Sequence, residues 1–296
     1  AVLSPTSGKD LVFTKDALVA DVHFFSNDDP ANIAERALRS NLSDLAAMGA
    51  EPLGYLLSIA LPKQGLDIDQ WLKAFTDGLS ANQKLFRWSL WGGDTVSTSG
   101  PITISVTAIG ETDTGKHLTR SGAKVGDGIY VSGTLGDAAI AVEILKNGLE
   151  CEDTAYFLNR FYKPMPRLKL GKKLRNVASA TIDISDGLIG DLSHICKHSG
   201  VGANVYKEKI PLSNAFSNLL ETKDQYSRLS WCGGDDYELL FTVPQVNERN
   251  ILDMLNCHSH SITRIGEITK AQEIVLSDEN DNDIDLNKLG YRHFEN

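Results

Sequence analysis

The chain has 296 residues, 42% of them hydrophobic and 23% charged, a balance that excludes disordered and fibrous proteins and is long enough for two folded domains. With 29 Lys and Arg against 39 Asp and Glu the formal net charge is −10, which argues against nucleic acid and anionic membrane as partners; a polyanion here would need divalent cations. Cys151, Cys196, Cys232 and Cys257 lack CxxC spacing and fit reduced thiols, and "LGYLLSIAL" at 53–61 is about half the roughly 20 residues of a membrane helix. Reduced thiols make the cytoplasm the expected compartment, and no signal-peptide pattern opens the sequence at Ala1.

Strand-like runs alternate with amphipathic helices. "DLVFTKDALV" reads as a strand, followed by a helix over 30–48, the strand "YLLSIAL", a helix over 67–83 and the strand "RWSLWGGD". "PITISVTAIGE" follows, with Ile102, Ile104 and Val106 on one face. Residues 111–128 carry four glycines and little hydrophobic period, which places the domain connection there. Beyond it come the strand "GIYVSG", a helix over 135–147, a Pro-marked helix from about 166, a strand over 178–183, a helix over 187–198 and the strand "YELLFTV". The order is that of an α/β (α+β) protein with domains 1–112 and 113–296.

Acids fall where this pattern predicts burial. On the first helix Ile33, Ala37, Asn41, Asp44 and Met48 form one stripe, so Asp44 interrupts an apolar face and requires a partner, whether a hydrogen-bond donor or a metal. Asp16, Asp94, Asp183, Asp235 and Asp236 are read at strand ends, where α/β sheets bind ligands. In "ATIDISDGLIGDL" Asp183 closes a strand, Ser185 or Asp186 is placed to cap the next helix, and Asp191 is read as a solvated helix residue. Hard oxygen donors at this density suit Mg²⁺ shared with substrate phosphates. No GxxxxGK[ST], GxGxxG or GxSxG motif offers another chemistry. His194 with His198, and "CHSH" at 257–260, fall short of a zinc set, and Trp88 and Trp91 read as core or interface aromatics.

Taken in order, "NLSDLAAMGA", "WGGDTV", "LTRSGAKVGD", "IDISDGL" and "GGDDYEL" resemble the thiamine-monophosphate kinase family, within the superfamily of aminoimidazole ribonucleotide synthetases and selenophosphate synthetases. The resemblance runs from Ala1 to "GYRHF". It implies a two-domain fold whose N-terminal domains pair in a homodimer into a β-barrel-like core, with nucleotide in a cleft bordered by both domains. The implied reaction is ATP-dependent phosphorylation of thiamine monophosphate to thiamine diphosphate, with several Mg²⁺ ions.

By the same resemblance Asp16, Asp44, Asp94, Asp183 and Asp186 hold Mg²⁺ with Thr14 and Lys15 beside them. Asp94, Asp183 and Asp186 then act electrostatically through metal. Gly93, Asp94, Arg120 and Ser185 contact ATP, and His23, Asp235 and Tyr291 line the thiamine phosphate pocket. The chain departs from the family at Lys15, where Thr is common, and at Asp235, where Glu is usual; the family's Gly-Asp-Asp metal motif falls just ahead of Ala1. Alternatives within reach of the same residues are another ATP-dependent superfamily member, a Mg²⁺-dependent phosphohydrolase, and a non-catalytic nucleotide-binding homologue.

Overall fold

The computed structural model describes residues 2–249, 251, 261–280, 282–284 and 286. They fall into two compact units, Ala1–His117 with Tyr162–Leu168, and Leu118–Phe161 with Lys169–Asn296.

In the first unit β1 (Lys9–Val19) alternates: Val12 and Leu18 are buried while Phe13, Lys15 and Ala17 are exposed. That period of two marks a sheet covered on one face only. Helix α1 (Pro30–Ala47) begins with Pro in its first turn and with the Asp29 carboxylate accepting from the Ala31 N–H at 2.8 Å. β2 (Glu51–Pro62), α2 (Ile68–Phe86), β3 (Ser89–Thr98) and β4 (Thr103–Asp113) follow. The sheet order is β1-β4-β2-β3, antiparallel except for the β2–β3 pair. It is an open sheet with β1 and β3 at its edges, not a barrel closed within the chain.

The sequence period predicts one buried stripe on α1, yet nearly all of α1 is buried, Glu35, Arg36 and Arg39 included, because the sheet covers one side and α2 another. These charges form a network. Arg39 Nε donates to Glu35 Oε2 at 2.8 Å and its Nη1 donates to the carbonyls of Lys163 and Pro164 at 3.3 and 3.2 Å. Asn82 Nδ2 donates to the same Glu35 oxygen at 2.9 Å, and Asn82 Oδ1 accepts from Trp88 Nε1 at 3.0 Å. Trp88 is thus a core aromatic, its ring 4.5 Å from that of Tyr55, and Ile102, Ile104 and Val106 are buried as their alternation predicts.

The second unit contains β5 (Gly128–Ser132), α3 (Asp137–Asn147), α4 (Thr154–Tyr162), α5 (Leu168–Leu174), β6 (Ala180–Asp183) and α6 (Leu188–Ser199). Then come β7 (Gly202–Tyr206), α7 (Asn214–Thr222), α8 (Leu229–Cys232), β8 (Leu239–Val243), β9 (Ile262–Thr269) and β10 (Ile274–Ser277). α4 and α5 each extend one residue or more across the boundary between the units. The strands form one mixed sheet in the order β10-β7-β9-β5-β8-β6. β5, β6 and β8 are buried throughout, so they read in the sequence as continuous apolar runs. β6 lies at one edge, antiparallel to β8, and carries Asp183 at its C-terminal end.

Candidate active site

Two of the acids taken as strand-end residues lie inside strands: Asp16 within β1 and Asp94 within β3. Their apolar flanks are too short to reveal where pairing stops. Register then separates them. Asp16 pairs with Val106, which pairs with Leu57, which pairs with Gly93, and Val106 and Leu57 are buried toward α1. Asp94 pairs with Ser58, Ser58 with Ser105 and Ser105 with Ala17, the row on the opposite, uncovered face.

The helix-facing side gathers Thr14, Asp16 and Asp44. Thr14 Oγ1 donates to Asp44 Oδ2 at 2.5 Å, which supplies the partner that the Asp44 position calls for. Burial pushes the Asp16 carboxyl up, opposed by the Ser40 hydroxyl and the charge of Lys15. Two positions apart on β1 and four apart on α1, these residues face one another in two successive steps. Lys15 points the other way: its Nζ donates to Ser105 Oγ at 2.6 Å on the uncovered face. Gly93 admits no side chain, since a Cβ would stand 1.7 Å from the Leu57 carbonyl oxygen. His23 lies in the turn after β1, where its Nδ1 accepts from the Val19 N–H at 3.1 Å and its carbonyl accepts from Arg36 Nε at 3.0 Å. A neutral ring held this way carries its proton on Nε2.

In the second unit Asp183 is 4% exposed at the end of β6, and Ser185 and Asp186 are half-buried in the turn that follows. Neither Ser185 nor Asp186 caps α6. The residue preceding the helix is Gly187, with no side-chain cap, and the amides are satisfied from inside the helix. Asp191 Oδ2 accepts from the N–H groups of Ser185, Asp186 and Gly187 at 3.0, 3.0 and 3.2 Å. Asp191 is therefore not a solvated residue: it is 2% exposed. Burial and then the charge of Asp186 push its carboxyl up to about 7, against the three amides. His194 is one turn on and partly exposed, its ring nitrogen and the Asp186 and Asp191 oxygens all within 4.8 Å of one another. Burial and then the Arg120 charge hold its pKa below the usual value.

The loop 233–238 is stitched to this turn. Asp235 N donates to Ser185 O at 2.9 Å, Tyr237 N to Ile184 O at 2.8 Å and Ile184 N to Glu238 O at 2.8 Å. Gly234 permits the approach, because a Cβ there would stand 2.3 Å from Ser185 O. Asp235 and Tyr237 adopt φ of 70° and 51°, conformations sustained only where surrounding bonds fix them, and Tyr237 OH donates to Asp235 Oδ1 at 3.2 Å. Between them Asp236 turns inward and accepts from Gly136 N at 2.7 Å and Ala138 N at 3.4 Å. Burial keeps its carboxyl well above the usual range, with Arg160 opposing. Arg160 in turn reaches Glu238 at 3.2 Å and Asp137 at 3.5 Å. Arg120 is exposed in the segment before β5, where Ser199 Oγ of α6 accepts from the Gly122 and Ala123 N–H groups, both at 3.2 Å. Tyr291 and "CHSH" lie outside the described residues.

The sequence reading missed Asp191, although a signal was present. Leu188, Asp191, Leu192 and Ile195 share one helical stripe, the same pattern that exposes Asp44 as an acid on an apolar face. It also passed over Arg160, whose partners lie far away in sequence.

An open four-stranded unit with acids facing its helix, followed by a mixed-sheet unit with an acid-bearing turn, defines the class. Residues 1–112 match AIR synthase related protein, N-terminal domain, and residues 124–279 match its C-terminal domain. The thiamine-monophosphate kinase of Escherichia coli K12 is 42% identical over 299 residues, covering 99% of this chain and 90% of that one. The crystal structure of the thiamine-monophosphate kinase of Stenotrophomonas maltophilia K279a superposes with a TM-score of 0.85 at 38% identity, covering 93% and 87% of the two chains. AaThiL complexed with AMPPCP and TMP gives a TM-score of 0.85 at 30% identity, covering 98% and 89%. The chain belongs to the thiamine-monophosphate kinase family of AIR synthase related proteins.

Proposed function

We infer that this chain carries out its family's reaction, transfer of the γ-phosphoryl group of ATP to thiamine monophosphate to give thiamine diphosphate. The observation that carries the reading is kinship over nearly the whole length of named kinases. A relative complexed with AMPPCP and TMP supports both ligands. The acceptor needs no general base: a phosphate monoester with a second pKa of about 6 is largely dianionic at pH 7. The difficulty is to bring it against a second anion, so positioning and charge neutralisation dominate.

The donor chemistry fits Mg²⁺. Asp16, Asp44, Asp94, Asp183 and Asp186 offer only hard carboxylate oxygens, with the Thr14 hydroxyl beside Asp44. These residues would hold the ions, which when bound neutralise phosphate charge and orient the transferring group. At Lys15 only the carbonyl could serve, since the ammonium is itself a donor and is engaged with Ser105. In this reading Arg120, Ser185, Gly93 and Asp94 contact nucleotide, and His23, Asp235 and Tyr291 contact thiamine phosphate. Asp235 is one methylene shorter than the usual Glu, and its positive φ and the Tyr237 hydrogen bond fix where the shorter carboxylate points.

The same reading takes 1–112 and 113–296 as the functional halves and places the protein in the cytoplasm. No described helix is long and apolar enough to cross a membrane. It also takes the active form as a homodimer through the uncovered face of the first sheet, where Phe13, Leu56 and Val96 are 64%, 41% and 50% exposed. The test is to supply ATP, Mg²⁺ and thiamine monophosphate and to follow thiamine diphosphate and free phosphate together. Thiamine diphosphate stoichiometric with ADP is expected; phosphate release without acceptor would identify a phosphohydrolase instead.

A further inference from the structure

Consecutive amides at the start of a helix ordinarily form an anion site, with N–H groups and helix dipole converging on a phosphate. The turn after β6 has that form, but its anion is internal. Asp191 Oδ2 takes the N–H groups of Ser185, Asp186 and Gly187, and the N–H of Ile184 is bonded to Glu238 O. The four successive amides of 184–187 are therefore spoken for, and at these positions nucleotide is left to side chains and the ions they hold. The carbonyls of Ile184 and Ser185 are bound in turn by the amides of Tyr237 and Asp235, so the turn is gripped on both edges.

We propose that Asp191 is a positioning residue of phosphoryl transfer: its buried carboxylate fills the amide site of residues 185–187 and so fixes Asp183, Ser185 and Asp186 in the orientation that receives metal and nucleotide. The proposal deepens the kinase reading and rests on it for the roles of those three residues. A fixed carboxyl oxygen under the turn does two things. It holds the backbone with three hydrogen bonds from one atom, and it denies the amides to phosphate, so that phosphate is recognised at the carboxylates through cations. Because Asp191 lies within its own helix, the turn is tied to the body of α6. Ser199 of the same helix holds the segment after Arg120.

The experiment compares wild type, Asp191→Ala and Asp191→Asn by three readouts: amide exchange of residues 185–187, Mn²⁺ affinity in the presence of AMPPCP, and kcat with its Mg²⁺ dependence. The Ala variant should exchange these amides at least about tenfold faster. Its kcat should fall by roughly 10–100-fold and its Mn²⁺ affinity weaken several-fold, in the range of lost metal-site support. Asn keeps an acceptor oxygen without the charge and should restore part of each. Unchanged protection in the Ala variant would overturn the proposal, as would lost protection with kcat and Mn²⁺ affinity within about twofold of wild type. Should Ala fail to fold, Asn with wild-type exchange and Mn²⁺ affinity would overturn it. A wild-type protein that makes no thiamine diphosphate would remove the kinase reading, while exchange and Mn²⁺ affinity would still judge the clamp.

Discussion

Asp183 sits almost fully buried at the end of β6, three residues before Asp186. Burial disfavours the ionised carboxylate, and neutralising it at constant shape removes that cost. Asp183→Asn is therefore expected to unfold at the same temperature as wild type or higher while kcat falls by roughly 100-fold or more, a split that thermal unfolding and steady-state assay would reveal. A variant with wild-type turnover would remove Asp183 from the site. Individual acids were legible in the sequence because an ionisable residue in an apolar stretch stands out. Their directions were not. Whether Asp16 faces α1 and Asp94 faces away depends on strand register, which is set by pairing across β4 and β2 and leaves no local mark. Asp191 is the opposite case, since its helical phase pointed inward and only its bonds to the preceding turn were hidden.

At the scale of elements, α1 was legible as a helix with its start and stop, but a helix buried on nearly all sides does not show a single stripe. The polar residues that break its pattern belong to the Glu35–Arg39–Asn82–Trp88 network. Arg39 is 5% exposed and cannot regain water when its partner is removed. Glu35→Ala should therefore destabilise the protein by about 3–5 kcal/mol, and Glu35→Leu paired with Arg39→Met should recover much of that loss. Denaturant unfolding of the single and double variants would measure both, and equal losses in the two would contradict the network's role. Short elements such as α4 were missed because nine residues hold too few turns for a period to emerge. In the second unit β5, β6 and β8, buried throughout, were legible as plain apolar runs, whereas β7, β9 and β10, only partly buried, were not read.

For the molecule as a whole, the two edge strands set the question of assembly. β1 and β3 are separated by β4 and β2, three steps of about 4.8 Å, so Asp16 and Asp94 of one chain stand roughly 14 Å apart across the sheet. If the proposed homodimer shares its metal sites between copies, with Asp16 and Asp94 of one site drawn from different chains, Asp16→Asn and Asp94→Asn enzymes, each inactive alone, should regain about a quarter of wild-type activity when unfolded together and reassembled at equal amounts. An inactive mixture of demonstrated heterodimers would place both acids in the same chain's site. Phe13→Asp, a charge on the uncovered face, should shift the solution mass from dimer to monomer in sedimentation. The first unit's main segment ends at His117, inside the glycine-rich stretch 111–128. The return of 162–168 to that unit left no mark in the sequence, because seven residues with two prolines look like any linker.

That return has a consequence for how the protein is made. Arg39 and Glu35 occupy the middle of the first unit, yet two of the acceptors for Arg39, the carbonyls of Lys163 and Pro164, are encoded about 50 residues after that unit's main segment ends. At a synthesis rate of about 5–20 residues per second, the ribosome takes roughly 3–10 s to supply them. For that interval the nascent N-terminal unit holds a guanidinium whose carbonyl partners do not yet exist. Its folding is then timed by translation of the opening stretch of its neighbour, and the two units are linked in biogenesis as a nested pair rather than a simple succession.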